Sequence, residues 1–288
     1  MTEVVRTIRD LRRRVDEWHR AGQTVALVPT MGYLHDAHIA LIDAGRQFCS
    51  KIVVSIFVNP NQFGPKEDFV KYPRDEAHDL SMLKEHGVDA AFAPSVGEMY
   101  PPGFSTTIAV PSLTTVLCAT TRPEHFGGVA IVCTKLFIQC RPDAAIFGEK
   151  DYQQLQIIRR LVKDLDIPID IHGVPTVREP DGLAISSRNV YLTDDGRAKA
   201  ANINVILANA AKGIEAGSDP IKELTKARLQ LTEKVGSSPE YLELCDAETL
   251  VAVIHTNAPA RLLTAINIDG TRLIDNWPII PRNPAIDF

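Results

Sequence analysis

Four short apolar runs recur along the first half of the chain: TVALV (24–28), KIVVSIFV (51–58), VDAAFAP (88–94) and DAAIFG (143–148). Amphipathic or helix-forming stretches separate them, at roughly 36–48, 75–86, 128–140 and 151–165. A strand that is apolar without alternation is buried on both faces, and strands that alternate with helices pair in parallel through right-handed crossovers. The pattern therefore predicts an α/β fold: a Rossmann-like, doubly wound parallel sheet. A helix precedes the first run. Thr7 with Asp10 forms its start signal, Ile8, Leu11, Val15 and Trp18 share one face, and Gly22 ends it.

Beyond about residue 178 the pattern changes. TVREPDGLAISSRN is rich in turn-forming and polar residues, an Ala-rich helix follows at about 195–216, and GSDP breaks it. Asp219 and Pro220 then start a helix reaching about 235. YLELCDA, ARLLTAINI and RLIDNWPII read as strands, with Asp269-Gly270 as a tight turn between the last two. This predicts two domains: a Rossmann-like domain over 1–178, and a smaller C-terminal α+β domain over 179–288 carrying a mobile ISSR loop at its start.

Composition removes several function classes. The chain has 288 residues with a formal net charge of −5, so no global basic field draws it to nucleic acid. A chain of this length buries about 75% of its unfolded surface and needs no disulfide or metal to hold it. Its 5 cysteines form no CxxC and read as reduced core thiols of a cytoplasmic protein. The charged N-terminus lacks a signal-peptide core, and no apolar run approaches the ~20 residues of a membrane span.

In an open parallel sheet, ligands bind beyond the carboxyl ends of the strands. The chemically capable residues fall in such places. His35 and His38 follow the first run; Asn59 and Gln62 follow the second; Gly148, Lys150, Asp151 and Gln154 follow the fourth. Ser186, Ser187 and Arg188 sit in a later loop, read as following the last strand. Four polar clusters are thus expected to converge on one edge. Two histidines three apart share a helix face and fit zinc, a phosphate or plain solvation. Zinc needs a third ligand that neither an HExxH pattern nor a cysteine cluster supplies, so no zinc is expected. A phosphate suits the unpaired N–H groups and dipole of a helix start. Lys150 and Arg188 add cationic groups for the same oxygens, with Ser186 and Ser187 as hydroxyl donors. Asp79, in an acidic helix start with Asp75 and Glu76, reads chiefly as dipole complementation and more weakly as a Mg²⁺ ligand. Arg122 and His125, in RPEHFGGV, are lesser ligand candidates beside Gly127-Gly128, which read alternatively as a helix cap.

PTMGYLHDAH, FVNPNQF, YPR followed by Asp79, HFGGV, KLF, FGEKDYQQ and REPDGLAISSRN, in this order and spacing, resemble the pantoate–β-alanine ligase family over nearly the whole chain. That family lies in the HxGH nucleotidyltransferase group related to class I aminoacyl-tRNA synthetases. The resemblance implies condensation of pantoate with β-alanine through a pantoyl adenylate, with ATP and Mg²⁺, in a homodimer. It implies ATP contacts from Met31, Gly32, His35, His38, Gly148, Glu149, Lys150, Asp151, Val177, Ile185, Ser186, Ser187 and Arg188. His38 takes the proton-donor role, with His35, Lys150 and Arg188 as its catalytic companions. Gln62 and Gln154 correspond to pantoate-binding residues, and Gln62 also to a β-alanine contact. Ala37 and Glu124 stand where the family usually has glycine, and Ile185 where it has methionine. The other classes weighed are a nucleotidyltransferase that adenylylates a phosphorylated acceptor, a non-catalytic nucleotide sensor and a zinc hydrolase. No nucleic-acid or membrane partner is expected.

Overall fold

The structure, a computed structural model, describes residues 2–65, 67–255 and 257–281. The last seven residues of the expected C-terminal domain, 282–288, lie outside the described residues. The chain divides into two compact units. One comprises Met1–Thr115, Ala119–Glu149 and Gln154–Thr176, and the other Val116–Cys118, Lys150–Gln153 and Val177–Phe288. The second unit therefore takes two short pieces from earlier in the chain, which a division at 178 does not anticipate.

In the first unit, strands β1 (Glu3–Val5), β2 (Val25–Thr30), β3 (Lys51–Ile56), β4 (Ala90–Phe92), β5 (Ala144–Gly148) and β6 (Asp170–Val174) form one sheet in the order β1-β4-β3-β2-β5-β6. Every pairing is parallel. From β2 the winding runs one way through β3 and β4 and the other way through β5 and β6. The point of reversal lies between the carboxyl ends of β2 and β5, where such sheets bind ligands. The interior strands are buried along nearly their whole length because each is flanked by a strand on either side and by helices on its faces. The helices are α1 (Ile8–Arg20), α2 (Asp36–Gly45), α3 (Glu76–Glu85), the single turns α4 (Val96–Met99) and α5 (Cys118–Thr121), α6 (His125–Cys140) and α7 (Tyr152–Asp164), of which α5 and α7 begin with residues of the second unit. Thr7 caps α1 by accepting the Asp10 N–H, and Leu11, Val15 and Trp18 are its buried face.

The edge strands β1 and β6 are additions to the expected set. The first is three residues long. The second, DIHGV, has no fully buried position, so it leaves no apolar run.

In the second unit, α8 (Asp194–Glu215) and α9 (Pro220–Val235) pack on the antiparallel sheet β7 (Tyr241–Asp246), β8 (Ala260–Ile268) and β9 (Thr271–Ile279). Asp269 and Gly270 both take positive φ, 51° and 83°, in the two-residue hairpin turn joining β8 to β9. Ile203, Leu207, Leu231, Leu244, Leu262 and Ile266 are at the centre of its core.

Candidate active site

The first residues after β2 make a tight turn that depends on one buried carboxylate. Gly32 has φ +79°, and a Cβ there would stand 2.8 Å from Asp79 Oδ2 and 3.0 Å from Ile56 Cγ2. Only glycine tolerates both the left-handed backbone and that approach. Tyr33 follows at φ +52°. Asp79, 1% exposed, accepts the Tyr33 N–H at 2.9 Å and the Leu34 N–H at 2.7 Å, one on each oxygen. Burial pushes its carboxyl above the ordinary range, against the opposing pull of those backbone bonds. Asp79, weighed from the sequence as a Mg²⁺ ligand, is thus the anchor of the turn, with an N–H already on each oxygen.

The turn delivers the two histidines. His35 is the N-cap of α2 with extended backbone rather than a residue inside the helix, and His38 is the third helical residue. Their rings lie 4.1 Å apart between centroids, tilted by 30°. The His35 backbone N–H donates to His38 Nδ1 at 3.2 Å. With Nδ1 an acceptor, the neutral His38 ring carries its proton on Nε2, which makes that atom a donor. Ala37 occupies the first turn of α2 without disturbing this arrangement.

Beyond β3, the 3-10 turn Pro60–Gln62 places Gln62 against the same region. Gln62 Nε2 donates to Met31 Sδ at 3.0 Å, which brings together two residues predicted to touch different substrates. Asn59 acts as the brace: its Nδ2 donates to Gln62 Oε1 (3.1 Å) and to the Gly128 carbonyl (2.9 Å), and its Oδ1 accepts from the Tyr100 hydroxyl (2.9 Å). Burial pushes the Tyr100 phenol up to about 12, so it remains a donor. Gly127 and Gly128 lie inside α6, which starts at His125, rather than capping it. A Cβ on Gly128 would sit 2.1 Å from the Asn61 carbonyl oxygen, so this glycine is what lets the helix approach the turn.

Arg122 and His125 also support this loop. Arg122 forks onto Glu67 at 2.7 and 2.6 Å, and His125 Nδ1 lies 2.8 Å from the Gln62 carbonyl. Burial would raise the Glu67 carboxyl, but its bonds to Arg122 hold it below the usual range. The acidic neighbours of Asp79 are structural: Asp75 caps α3 and Glu76 pairs with Arg6.

At the end of β5, Gly148 pairs with Val174, and a Cβ there would meet nothing within 4 Å. The 3-10 turn Glu149–Asp151 follows, ahead of α7. Lys150 Nζ is 3.9 Å from Asp151 Oδ2, with the lysine side chain 20% exposed and the aspartate half exposed. Gln154 lies in the first turn of α7, half-buried.

The fourth cluster does not follow a strand of the parallel sheet. It follows a small hairpin of the second unit, bridged at Arg178 and Ala184, in which the Ile185 N–H donates to the Val177 carbonyl. Val177 and Ile185 are therefore direct partners. Ser186 then caps a 3-10 helix, Ser187–Tyr191, by accepting the Arg188 N–H at 3.3 Å. Asn189 Nδ2 donates back to the Ala184 carbonyl at 3.1 Å. The segment read from the sequence as a loop thus contains a capped 3-10 turn.

Sequence reasoning missed Asn59 as a brace, Asp79 as a turn anchor, and Tyr100. Each acts through contacts 41 to 69 residues away in the chain, for which no local pattern exists.

Residues 3–278 match the family model described as pantoate-beta-alanine ligase. A pantothenate synthetase of Sphingopyxis alaskensis is 50% identical over 277 residues, covering 96% of this chain and 99% of that protein. The crystal structure of pantothenate synthetase from Thermus thermophilus is similar with a TM-score of 0.93 at 43% identity, over 97% of this chain and 100% of that one. That of pantoate-beta-alanine ligase from Francisella tularensis, complexed with beta-gamma ATP and beta-alanine, has a TM-score of 0.82 at 32% identity, over 96% and 97%.

Proposed function

The chain belongs to the pantoate–β-alanine ligase family, and from that premise we infer that it joins pantoate to β-alanine at the expense of ATP. The observation carrying this reading is similarity that runs through both units, with 50% identity over 96% of the chain. The reaction proceeds in two steps. A pantoate carboxylate oxygen attacks the α-phosphorus of ATP, the bond to the bridging oxygen breaks, and pyrophosphate leaves. The neutral amine of β-alanine then attacks the activated carbonyl, AMP departs with the acyl oxygen, and the amine sheds its proton as the amide forms.

Neither step needs a protein nucleophile. The barrier is charge on the phosphate oxygens together with the meeting of two anions, so positioning and electrostatic stabilisation supply the catalysis. We assign ATP contacts to Met31, Gly32, His35, His38, Gly148, Glu149, Lys150, Asp151, Val177, Ile185, Ser186, Ser187 and Arg188. Three observations support this assignment: the turn at the sheet's reversal point, the open space over Gly148, and the hairpin that pairs Val177 with Ile185. His38 donates through Nε2 to an oxygen that gains charge, as its acceptor Nδ1 favours. Lys150 and Arg188 neutralise the phosphates. Gln62 and Gln154 hold pantoate through neutral amides that add no charge to the nucleophile, and Gln62 also contacts β-alanine.

Bound with the triphosphate, Mg²⁺ would offset part of its negative charge. Among the described residues no cluster of three or more His, Cys, Asp or Glu side chains is arranged to hold a metal, and the oxygens of Asp79 already accept backbone N–H groups. We further propose a cytoplasmic homodimer.

The deciding experiment is ATP–pyrophosphate exchange with and without pantoate, in the absence of β-alanine. Exchange that requires pantoate, and AMP release that requires both acids, is the expected result. Exchange indifferent to pantoate, or a stable adenylylated product, would overturn the reading.

A further inference from the structure

The small sheet of the second unit buries polar residues that its hydrophobic core does not require. Asp275 (5% exposed), Asn276 (2%) and Arg261 (7%) lie side by side on β9 and β8. A buried polar side chain persists where its bonds are satisfied and serves where those bonds hold something in place. The partners of this pair are informative. Asp275 forms a two-pronged ion pair with Arg178, Nη1 to Oδ2 at 2.8 Å and Nη2 to Oδ1 at 2.9 Å. Arg178 stands at the base of the hairpin that leads to Ile185 and Ser186–Arg188, bridged to Ala184. It also donates to the Gly182 carbonyl at 3.1 Å, across the hairpin's own turn, and its guanidinium lies 5.3 Å from the Trp277 ring.

The next residue holds the other segment. Asn276 Nδ2 donates to the Lys150 carbonyl at 2.9 Å, while its Oδ1 accepts from Arg261 Nε at 2.7 Å. Arg261 in turn lies over the Tyr152 ring at 4.1 Å, two residues beyond that lysine. The Asn276 backbone N–H donates to Asp275 Oδ1 at 2.7 Å, which ties the two side chains into one network. Two chain segments about 30 residues apart in sequence, Lys150–Tyr152 and Arg178–Arg188, are thus gripped at adjacent positions of one strand.

We propose that Asp275 and Asn276 are positioning residues for the nucleotide: a two-residue clamp on β9 that fixes Lys150 and the Ser186–Arg188 element relative to each other. This rests on the assignment of those segments to ATP. Asn276 sets the lysine's backbone, so its loss lets the ammonium group drift. Asp275 sets the hairpin through a planar fork, which a lysine at 178 would not reproduce because it lacks paired donors. The segments it grips are those assigned to ATP, so the expected effect is on the nucleotide.

The test is Asn276→Ala and, separately, Arg178→Lys, each assayed by single-turnover adenylate formation well below its unfolding midpoint. About a tenfold rise in the KM for ATP and a tenfold fall in the adenylation rate are expected, with the KM for pantoate within about twofold of wild type. A purely structural role would lower the unfolding midpoint and leave the KM for ATP of the folded fraction unchanged; that result, in either variant, overturns the clamp. Arg178→Lys retains the charge at 178, and it decides the matter if Asn276→Ala does not fold. Wild-type protein lacking pantoate-dependent exchange would refute the ligase reading instead, so the two failures are distinguishable.

Discussion

Replacing Asp79 by asparagine isolates what the buried carboxylate does for the turn after β2. Both oxygens accept backbone N–H groups, from Tyr33 at 2.9 Å and Leu34 at 2.7 Å. Asparagine has the same shape but one acceptor oxygen; its NH₂ would face the other N–H, donor against donor. A hydrogen bond to a charged group contributes about 1.5–3 kcal/mol, and a buried donor left unsatisfied costs about 1–3 kcal/mol. Removing a buried charge returns part of that, since burial already pushes this carboxyl above its ordinary range. A net destabilisation of about 1–2 kcal/mol is expected, read as a lower urea midpoint at unchanged slope. The effect on activity should be larger than the stability loss suggests. Tyr33 sits at φ +52°, a conformation a non-glycine residue holds only when its surroundings impose it. Released, the turn would shift His35 and His38, and a displacement of about 1 Å costs on the order of 10²-fold in rate. Pantoate-dependent exchange measured at saturating substrates reads this directly. The pH dependence provides a separate check. A carboxyl with a raised folded-state value holds its proton more tightly in the native protein than in the unfolded chain. Its contribution to stability is therefore full below about pH 3.9 and is lost as the pH rises through the folded value. The gap in stability between wild type and Asp79→Asn should accordingly narrow as the pH rises from about 4. A variant matching wild type in both urea midpoint and exchange rate would refute this account of the turn.

Further outcomes follow from the same geometry. Lys150→Ala and His38→Ala should each fold normally and lose about 10²-fold in adenylate formation, close to 3 kcal/mol of barrier; near-wild-type single turnovers would remove that residue from the mechanism. Gly148→Ala adds a methyl where no protein atom lies within 4 Å, so stability should hold or rise by about 0.4–1 kcal/mol while the KM for ATP rises about tenfold; an unchanged KM would displace the nucleotide from the end of β5. Gly128→Ala puts its methyl 2.1 Å from the Asn61 carbonyl oxygen and should cost about 1–3 kcal/mol in urea denaturation, with a raised KM for pantoate as Gln62 moves.

The division between what the sequence revealed and what it withheld follows from range. The interior strands β2, β3 and β5 were legible because burial on both faces leaves uninterrupted apolar runs, and α8 and α9 because Asp219 and Pro220 mark the break between them. The edge strand β6 was not, since its one paired side and half-solvated faces let Asp170 and His172 stand in it. The site divides in the same way. His35, His38, Lys150 and Arg188 could be read as candidates because their side-chain chemistry is unusual for their local positions. The residues that hold them are ordinary locally and informative only through distant partners: Asp79 meets a turn 45 residues away, and Asn276 meets a carbonyl 126 residues away. One signal was nonetheless present. In RLIDNWPII two adjacent polar residues, Asp275 and Asn276, interrupt an apolar run, and the fold buries both. A strand core spends apolar positions on Asp and Asn only where their bonds are satisfied, so such an interruption predicts a polar partner elsewhere in the chain. Here the partners are Arg178 and the Lys150 carbonyl, which makes the interruption in β9 a sequence-level pointer to the segments assigned to ATP.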